Sequence, residues 1–308
     1  MKKRVLAAFL SMAMVAGLAT GCGTPGGGKS DGDSADGKVF RYAVNTLPTT
    51  LDPTKGQSIG DNEIQHAVTE GLTRNTAGDV KPGIAESWDE SEDGLTYTFH
   101  LRKDAKWSDG EPITAADFEY SWKRLVNPET ASPYAFIGDC LKNGQAIEQG
   151  KMDVEELGVK AVDDTTLEVT LEHPTSYFLS LIGSSGQFAP LRQDIVEKYG
   201  TDFAATSEKN VYSGPFVMTS SEDNVWTFAK NDNYWDKDSI NLDKCELNYV
   251  ENTDTQLSMY EAGDLDYVQV PTAYISDYKD KADVFANGNV DFCYINSKSD
   301  NPVLGNKN

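Results

Sequence analysis

Between Ala105 and Leu125 the chain reads AKWSDGEPITAADFEYSWKRL, which sets four carboxylates, Asp109, Glu111, Asp117 and Glu119, among Trp107, Phe118, Tyr120 and Trp122. Two acids facing each other across a bond, one protonated and one ionised, with aromatic platforms beside them, are the equipment of glycoside hydrolysis. The elements that carry these residues decide the matter. Thr114 and Asp117 form a capping box, and Ile113 with Phe118 fits the hydrophobic staple around it. Phe118, Trp122 and Leu125 then share the apolar face of a helix that stops at Asn127-Pro128, while Glu119 precedes Lys123 by four residues as a surface pair. Asp109-Gly110 is a turn dipeptide that leaves Glu111 in a loop. The acids resolve into a turn, a loop, a cap and a surface pair. A glycoside hydrolase would have to work with Asp109 and Glu111 alone and is the distant alternative.

The other reactive side chains are dispersed. His66, His100 and His173 form no H-E-x-x-H helix, and Cys140, Cys245 and Cys293 show no C-x-x-C spacing, so the expectation is no metal, no disulfide framework and no cofactor. Each of these cysteines reads as a small buried hydrophobe. Asp163 and Asp164 suit a turn better than a metal, and His100 falls on the more polar face of a strand, a structural position.

A length of 308 residues allows about two domains, and a formal net charge of -22 disfavours nucleic acid and anionic membrane surfaces as partners. The N-terminus carries an export signal: a basic MKKR, an apolar run from Val5 to Leu18, and LATGC ending at Cys22. Small residues directly before a cysteine resemble the bacterial lipoprotein signal, in which residues 1–21 are removed and Cys22 is lipidated. The Gly/Ser/Asp-rich residues 22–37 then form a flexible tether on the outer face of the cytoplasmic membrane, periplasmic or cell-surface.

The body alternates strand and helix periods. VFRYAV is a strand; Asp61 caps a helix with Ile64, Val68 and Leu72 on one face; LTYTFHL is a strand with Leu95, Tyr97, Phe99 and Leu101 on one side. Val159 to Leu171 is a β-hairpin turning at Asp163–Thr165. NVWTFAKN and KCELNYV are strands, TDTQLSMYEAGDL a helix stopped by Gly263, and LDYVQVP and NVDFCYIN further strands. The β-α-β order predicts an α/β body with a crossover helix.

Several segments together carry a family resemblance: LDP at Leu51–Pro53, EGLTR at Glu70–Arg74, the run from KPGIAESWDE to YSWKRL, TASPYA at Thr130–Ala135, LGVKAVDDTTLEVTL, YSGPF at Tyr212–Phe216 and NDNYWD at Asn231–Asp236. The body from about Val39 onward resembles the oligopeptide- and dipeptide-binding, family 5 extracellular solute-binding proteins of bacterial ABC importers. The resemblance implies an α/β, periplasmic-binding-protein-like two-lobed clamp with an extra domain in the first lobe. Residues 38–69 and 193–288 would form the first lobe and 70–192 the extra domain. The second lobe would begin at 289–308 and be mostly absent, making the chain a fragment.

The implied mechanism is capture without chemistry, so no enzyme is expected: an extended peptide adds its main chain like a strand while its side chains occupy hydrated pockets. By resemblance Tyr134 faces the peptide from the extra domain, and Gln57, Ser58, Ile59 and Asn289 lie along its main chain. The implied partners are a peptide ligand, the permease and ATPase subunits of an importer, and the membrane through the Cys22 lipid, with a monomeric receptor and no nucleic acid. Alternatives within the family are a binder of oligosaccharide, nickel chelate or haem, or a sensor of peptide signals.

Overall fold

The computed structural model describes residues 37–76 and 78–284. Strand β1 (Val39–Val44) leads into helix α1 (Ile59–Val68). A ribbon of β2 (Thr73–Thr76) and β3 (Asp79–Pro82) and two longer strands, β4 (Ala85–Glu90) and β5 (Thr96–Leu101), precede helix α2 (Ala115–Val126). After a short helix α3 (Gly144–Glu148) come β6 (Val159–Asp163) and β7 (Thr166–Thr170), then α4 (Phe178–Ser184) and α5 (Gln193–Tyr199). Strands β8 (Phe216–Glu222), β9 (Val225–Lys230) and β10 (Lys244–Tyr249) and helix α6 (Thr253–Ala262) follow.

The strands form two four-stranded sheets, ordered β1-β10-β9-β8 and β4-β5-β7-β6, beside the β2-β3 ribbon. Among the described strands only β1 and β10 pair parallel; the other pairings are antiparallel. The expected β6–β7 hairpin forms, and the Asp163 carboxylate accepts the Thr165 N–H at 2.8 Å, the turn chemistry anticipated for it. Helix α6 ends on Gly263 in the left-handed region (φ 86°), as a C-cap glycine should.

Three expectations are corrected: α1 ends at Val68 with Thr69 extended as its C-cap, so Leu72, expected on its apolar face with Ile64 and Val68, lies beyond the helix. LDYVQVP is not a strand: Tyr267 makes a single parallel bridge to Tyr42. The neighbouring Arg41 N–H is taken by the Asp266 carboxylate at 2.8 Å rather than by a strand carbonyl, which stops the ladder after one step. In α1 the N-cap is Ser58, with Asp61 three positions inside the helix as the returning acid of a capping box.

Apolar residues gather in two clusters. The first joins β4–β7, α2 and α4, and its fully buried rings include Phe99, Trp107, Phe118, Trp122, Phe178 and Phe188. Trp122 meets Phe188 edge-on at 5.1 Å and 74°, and its indole N–H donates to the Phe188 carbonyl at 2.9 Å. Asp117 closes the capping box of α2 on the Thr114 N–H at 2.8 Å, and burial pushes its carboxyl above the usual range. Asp109 accepts from its own turn, at the Glu111 N–H, and from Arg192 at 3.2 Å each. Glu119 meets Lys123 at 2.7 Å and also accepts the Ala161 N–H at 2.7 Å, so it braces β6 as well as its helix.

The second cluster gathers Val44, Ile64 and Val68 with Phe216, Phe228 and Leu247 of the first sheet. Cys245 is buried in it, and Cys140 is half-buried against the other cluster; burial pushes both thiols up to about 11. A polar knot ties EGLTR to NDNYWD: Glu70 holds Arg74 at 2.6 Å and accepts the Tyr234 hydroxyl, Arg74 reaches Asp236 at 3.0 Å, and the Arg102 guanidinium stacks 3.4 Å from the Trp235 ring centre.

Candidate functional site

The residues expected along a ligand, Gln57, Ser58 and Ile59, lie where the chain enters α1. Asp61 organises that entry. Its carboxylate, fully buried, accepts the N–H groups of Thr49 at 2.6 Å, Thr50 at 3.1 Å, Gln57 at 3.1 Å and Ser58 at 2.9 Å. Burial works to raise its pKa, but the donated backbone N–H groups outweigh that and hold it below the usual carboxylate range. Ser58 in turn accepts the Asp61 N–H at 2.9 Å. The backbone donors of Gln57 and Ser58 are therefore engaged within the protein, while Gln57 and Ile59 present exposed side chains, Ile59 at 60%.

Tyr134 reaches the same helix from the far side of α2. Ser132 fixes its loop by donating to the Thr54 carbonyl at 2.6 Å and accepting the Tyr134 N–H at 3.2 Å. The Tyr134 ring packs 5.6 Å from that of Phe136, which is 55% exposed. It lines a cavity of about 150 Å³ with Asn62, Gln65 and His66 of α1, Ile137, and the Ser184–Gln187 segment after α4. Ile59, Asn62 and His66 are spaced i, i+3, i+7, one stripe of the helix, of which Asn62 and His66 line the cavity with Tyr134 while Gln57, Ser58 and Ile59 do not. The side chains of Asn62, His66 and Tyr134 make no hydrogen bond to the described residues, which leaves a donor-and-acceptor wall open to a ligand. Asn289 and Cys22, named with them from the sequence, lie outside the described residues.

Gln65 was not singled out by sequence. It is 1% exposed, and neither its Nε2 nor its Oε1 has a hydrogen-bond partner. A buried polar atom left this way costs about 1–3 kcal/mol. Two glycines make room for it: a Cβ on Gly56 would come within 2.1 Å of Nε2, and one on Gly186 within 2.5 Å of Oε1.

A larger cavity of about 320 Å³ runs past Thr49, Asp52, Lys55, Arg124 and Trp226. Its central charges neutralise each other: Arg124 forks onto Asp52 at 2.8 and 2.6 Å, with the two side chains 14% and 5% exposed. Among the described residues no three His, Cys, Asp or Glu side chains gather into a metal site, and no helix is long and apolar enough to cross a membrane.

In this α/β body the acids Asp61, Asp109, Asp117 and Glu119 serve as hub, turn, cap and brace, beside a wall of polar side chains at Tyr134. The chain matches the family described as bacterial extracellular solute-binding proteins, family 5 middle, over residues 79–308, and it belongs to that family. It is 39% identical to the dipeptide-binding protein DppE of Bacillus subtilis across 81% of this chain and 46% of that protein. It is also 39% identical to the probable deoxycholate-binding periplasmic protein YgiS of Escherichia coli, across 77% of this chain and 45% of that one. Among solved structures it superposes on Listeria monocytogenes OppA bound to peptide with a TM-score of 0.74 and 36% identity, covering 80% of this chain and 49% of that one. The chain thus spans about half the length of the relatives it matches, and its α/β architecture is that of the peptide-binding receptors.

Proposed function

We propose that this chain is the ligand-receiving first half of an extracytoplasmic receptor that captures oligopeptides and hands them to the permease and ATPase of an ABC importer. The observation that carries this is the cavity wall that Tyr134 shares with Asn62 and His66 of α1, whose side-chain polar groups are free to meet a ligand. The names borne by DppE and by peptide-bound OppA support peptides as the ligand class. Gln57–Ile59 and Asn289 would lie along the peptide main chain, with the exposed Gln57 and Ile59 side chains making the contact, since Asp61 already holds the Gln57 and Ser58 N–H groups. The proposed division into a first lobe (38–69, 193–288) and an extra domain (70–192) is supported by two apolar clusters drawn largely from those two sets. Lipid attachment at Cys22 would keep the receptor at the membrane face.

Titration calorimetry of the complete receptor, this chain together with its second lobe, with mixed-sequence peptides of about 2–8 residues tests the reading. Peptides release heat, and Tyr134→Ala weakens binding by about tenfold while Tm stays within about 2 °C of wild type. The relative named for deoxycholate supplies the competing ligand. Heat with deoxycholate and none with any peptide would replace the proposal. For the anchor, palmitate labelling in cells is expected for the wild type and lost in Cys22→Ala; labelling that survives the substitution rejects Cys22 as the attachment point.

A further inference from the structure

Among the described residues the buried side-chain polar atoms without a hydrogen-bond partner are Asp139 Oδ1, Trp235 Nε1, whose ring carries the Arg102 guanidinium, and both polar atoms of Gln65, the side chain with donor and acceptor unmatched together. Gln65 sits at the wall of the Tyr134 cavity, buried, with both polar atoms unmatched, in a slot that Gly56 and Gly186 keep clear of side chains. Native proteins seldom leave a buried donor and acceptor together unpaired, and a side chain that does so beside a cavity is a group held for something that arrives. The slot also joins the predicted strip to the cavity wall: Gly56 immediately precedes Gln57, and Gly186 follows Ser185 of the cavity lining.

We infer that Gln65 is a ligand-recognising residue, and that its partner is an amide group of the bound molecule. A primary amide offers one acceptor and two donors in a plane, the complement of a group that presents N–H and C=O side by side. Two sources carry that chemistry in a peptide: the main chain and the carboxamide of an Asn or Gln side chain. Because the Gln65 polar atoms are sealed from solvent, the contact requires the side chain to rotate out of its slot into the cavity. The rotation breaks no hydrogen bond, since none holds the amide in place. The charged-anchor alternative is not served here: the cavity is lined by amides, hydroxyls, an imidazole and apolar groups, with no Lys, Arg, Asp or Glu among them.

This inference rests on the peptide reading above. Its test compares wild type with Gln65→Met in the same complete receptor, using tri-alanine and tri-glutamine. Met keeps the length and removes the amide, so the variant should be more stable, with Tm higher by about 2–4 °C, while its peptide affinity falls by about tenfold. That pairing of opposite signs is not what a packing residue produces. A loss of similar size with both peptides identifies the main chain as the partner, and a loss confined to tri-glutamine identifies the side-chain carboxamide. Wild-type affinity of Gln65→Met for both peptides overturns the inference and leaves the peptide reading standing; a wild-type chain that takes neither these nor any other peptide removes both. In the wild type itself, the Gln65 side-chain N–H₂ resonance should shift on saturation with tri-alanine or tri-glutamine, a readout independent of how the variant folds. A resonance that stays put with both also sinks the proposal.

Discussion

The aromatic cluster around Trp122 and the wall around α1 are held together by different physics. The first is a dry jigsaw of rings, in which most of the stabilisation is area removed from water and dispersion contact. The second is held by a buried carboxylate: one Asp61 side chain gathers four backbone N–H groups from the two ends of the loop between β1 and α1. An apolar core tolerates volume-conserving exchange but not deletion, whereas a charge hub tolerates neither neutralisation nor loss of a partner. The division suits the receptor role proposed above, in which loops must hold their shape without hiding their polar groups in a core.

The contrast can be broken at its strongest point first. Trp122→Ala should cost about 4–5 kcal/mol by urea unfolding, the loss of a fully buried ring and its indole hydrogen bond. Arg124→Met leaves Asp52 charged and buried, and should cost about 3–4 kcal/mol; replacing Asp52 by Leu in the same chain should restore much of it, which a double-mutant cycle reads directly. Asp61→Asn should cost about 2–3 kcal/mol and carry a pH signature. The Asp61 carboxyl has its pKa lowered on folding, so its contribution is present above the unfolded value of about 3.9 and is lost as pH falls through the folded value. The Tm gap between wild type and Asp61→Asn should then be flat above about pH 5 and narrow at lower pH; a gap that widens in acid would refute the hub. Smallest is His100→Gln, which breaks an exposed contact to Asp89 at 2.9 Å and should change stability by less than about 0.5 kcal/mol.

The aromatic region was legible because its signals are local. The Thr114–Asp117 box, the helix face of Phe118, Trp122 and Leu125, and the Asp109-Gly110 turn all act within a few residues, and all appear as read. The second region hides its logic in sequence distance. Asp61 was visible as a helix-start acid, but two of its donors, Thr49 and Thr50, lie twelve and eleven residues upstream. Arg124 lies off the apolar stripe of Phe118, Trp122 and Leu125, and its partner Asp52 is 72 residues away. Gln65 carried one weak clue, a polar residue beside Ile64 and three before Val68 on an inward face. Its unmatched amide is a property of the folded slot. LDYVQVP failed for a different reason: alternation specifies a pleated segment but not whether the neighbouring edge is free to pair, and Asp266 had already occupied it.

The parallel pairing of β1 with β10 has a consequence in time. Lys38, at the threshold of β1, bonds to Asp243, 205 residues later in the chain. At translation speeds of about 5–20 residues per second, the first strand waits roughly 10–40 s for the partner that completes its sheet. A protein with so distant a closure has high contact order and folds late, whereas the sheet around Trp122 closes over much shorter spans.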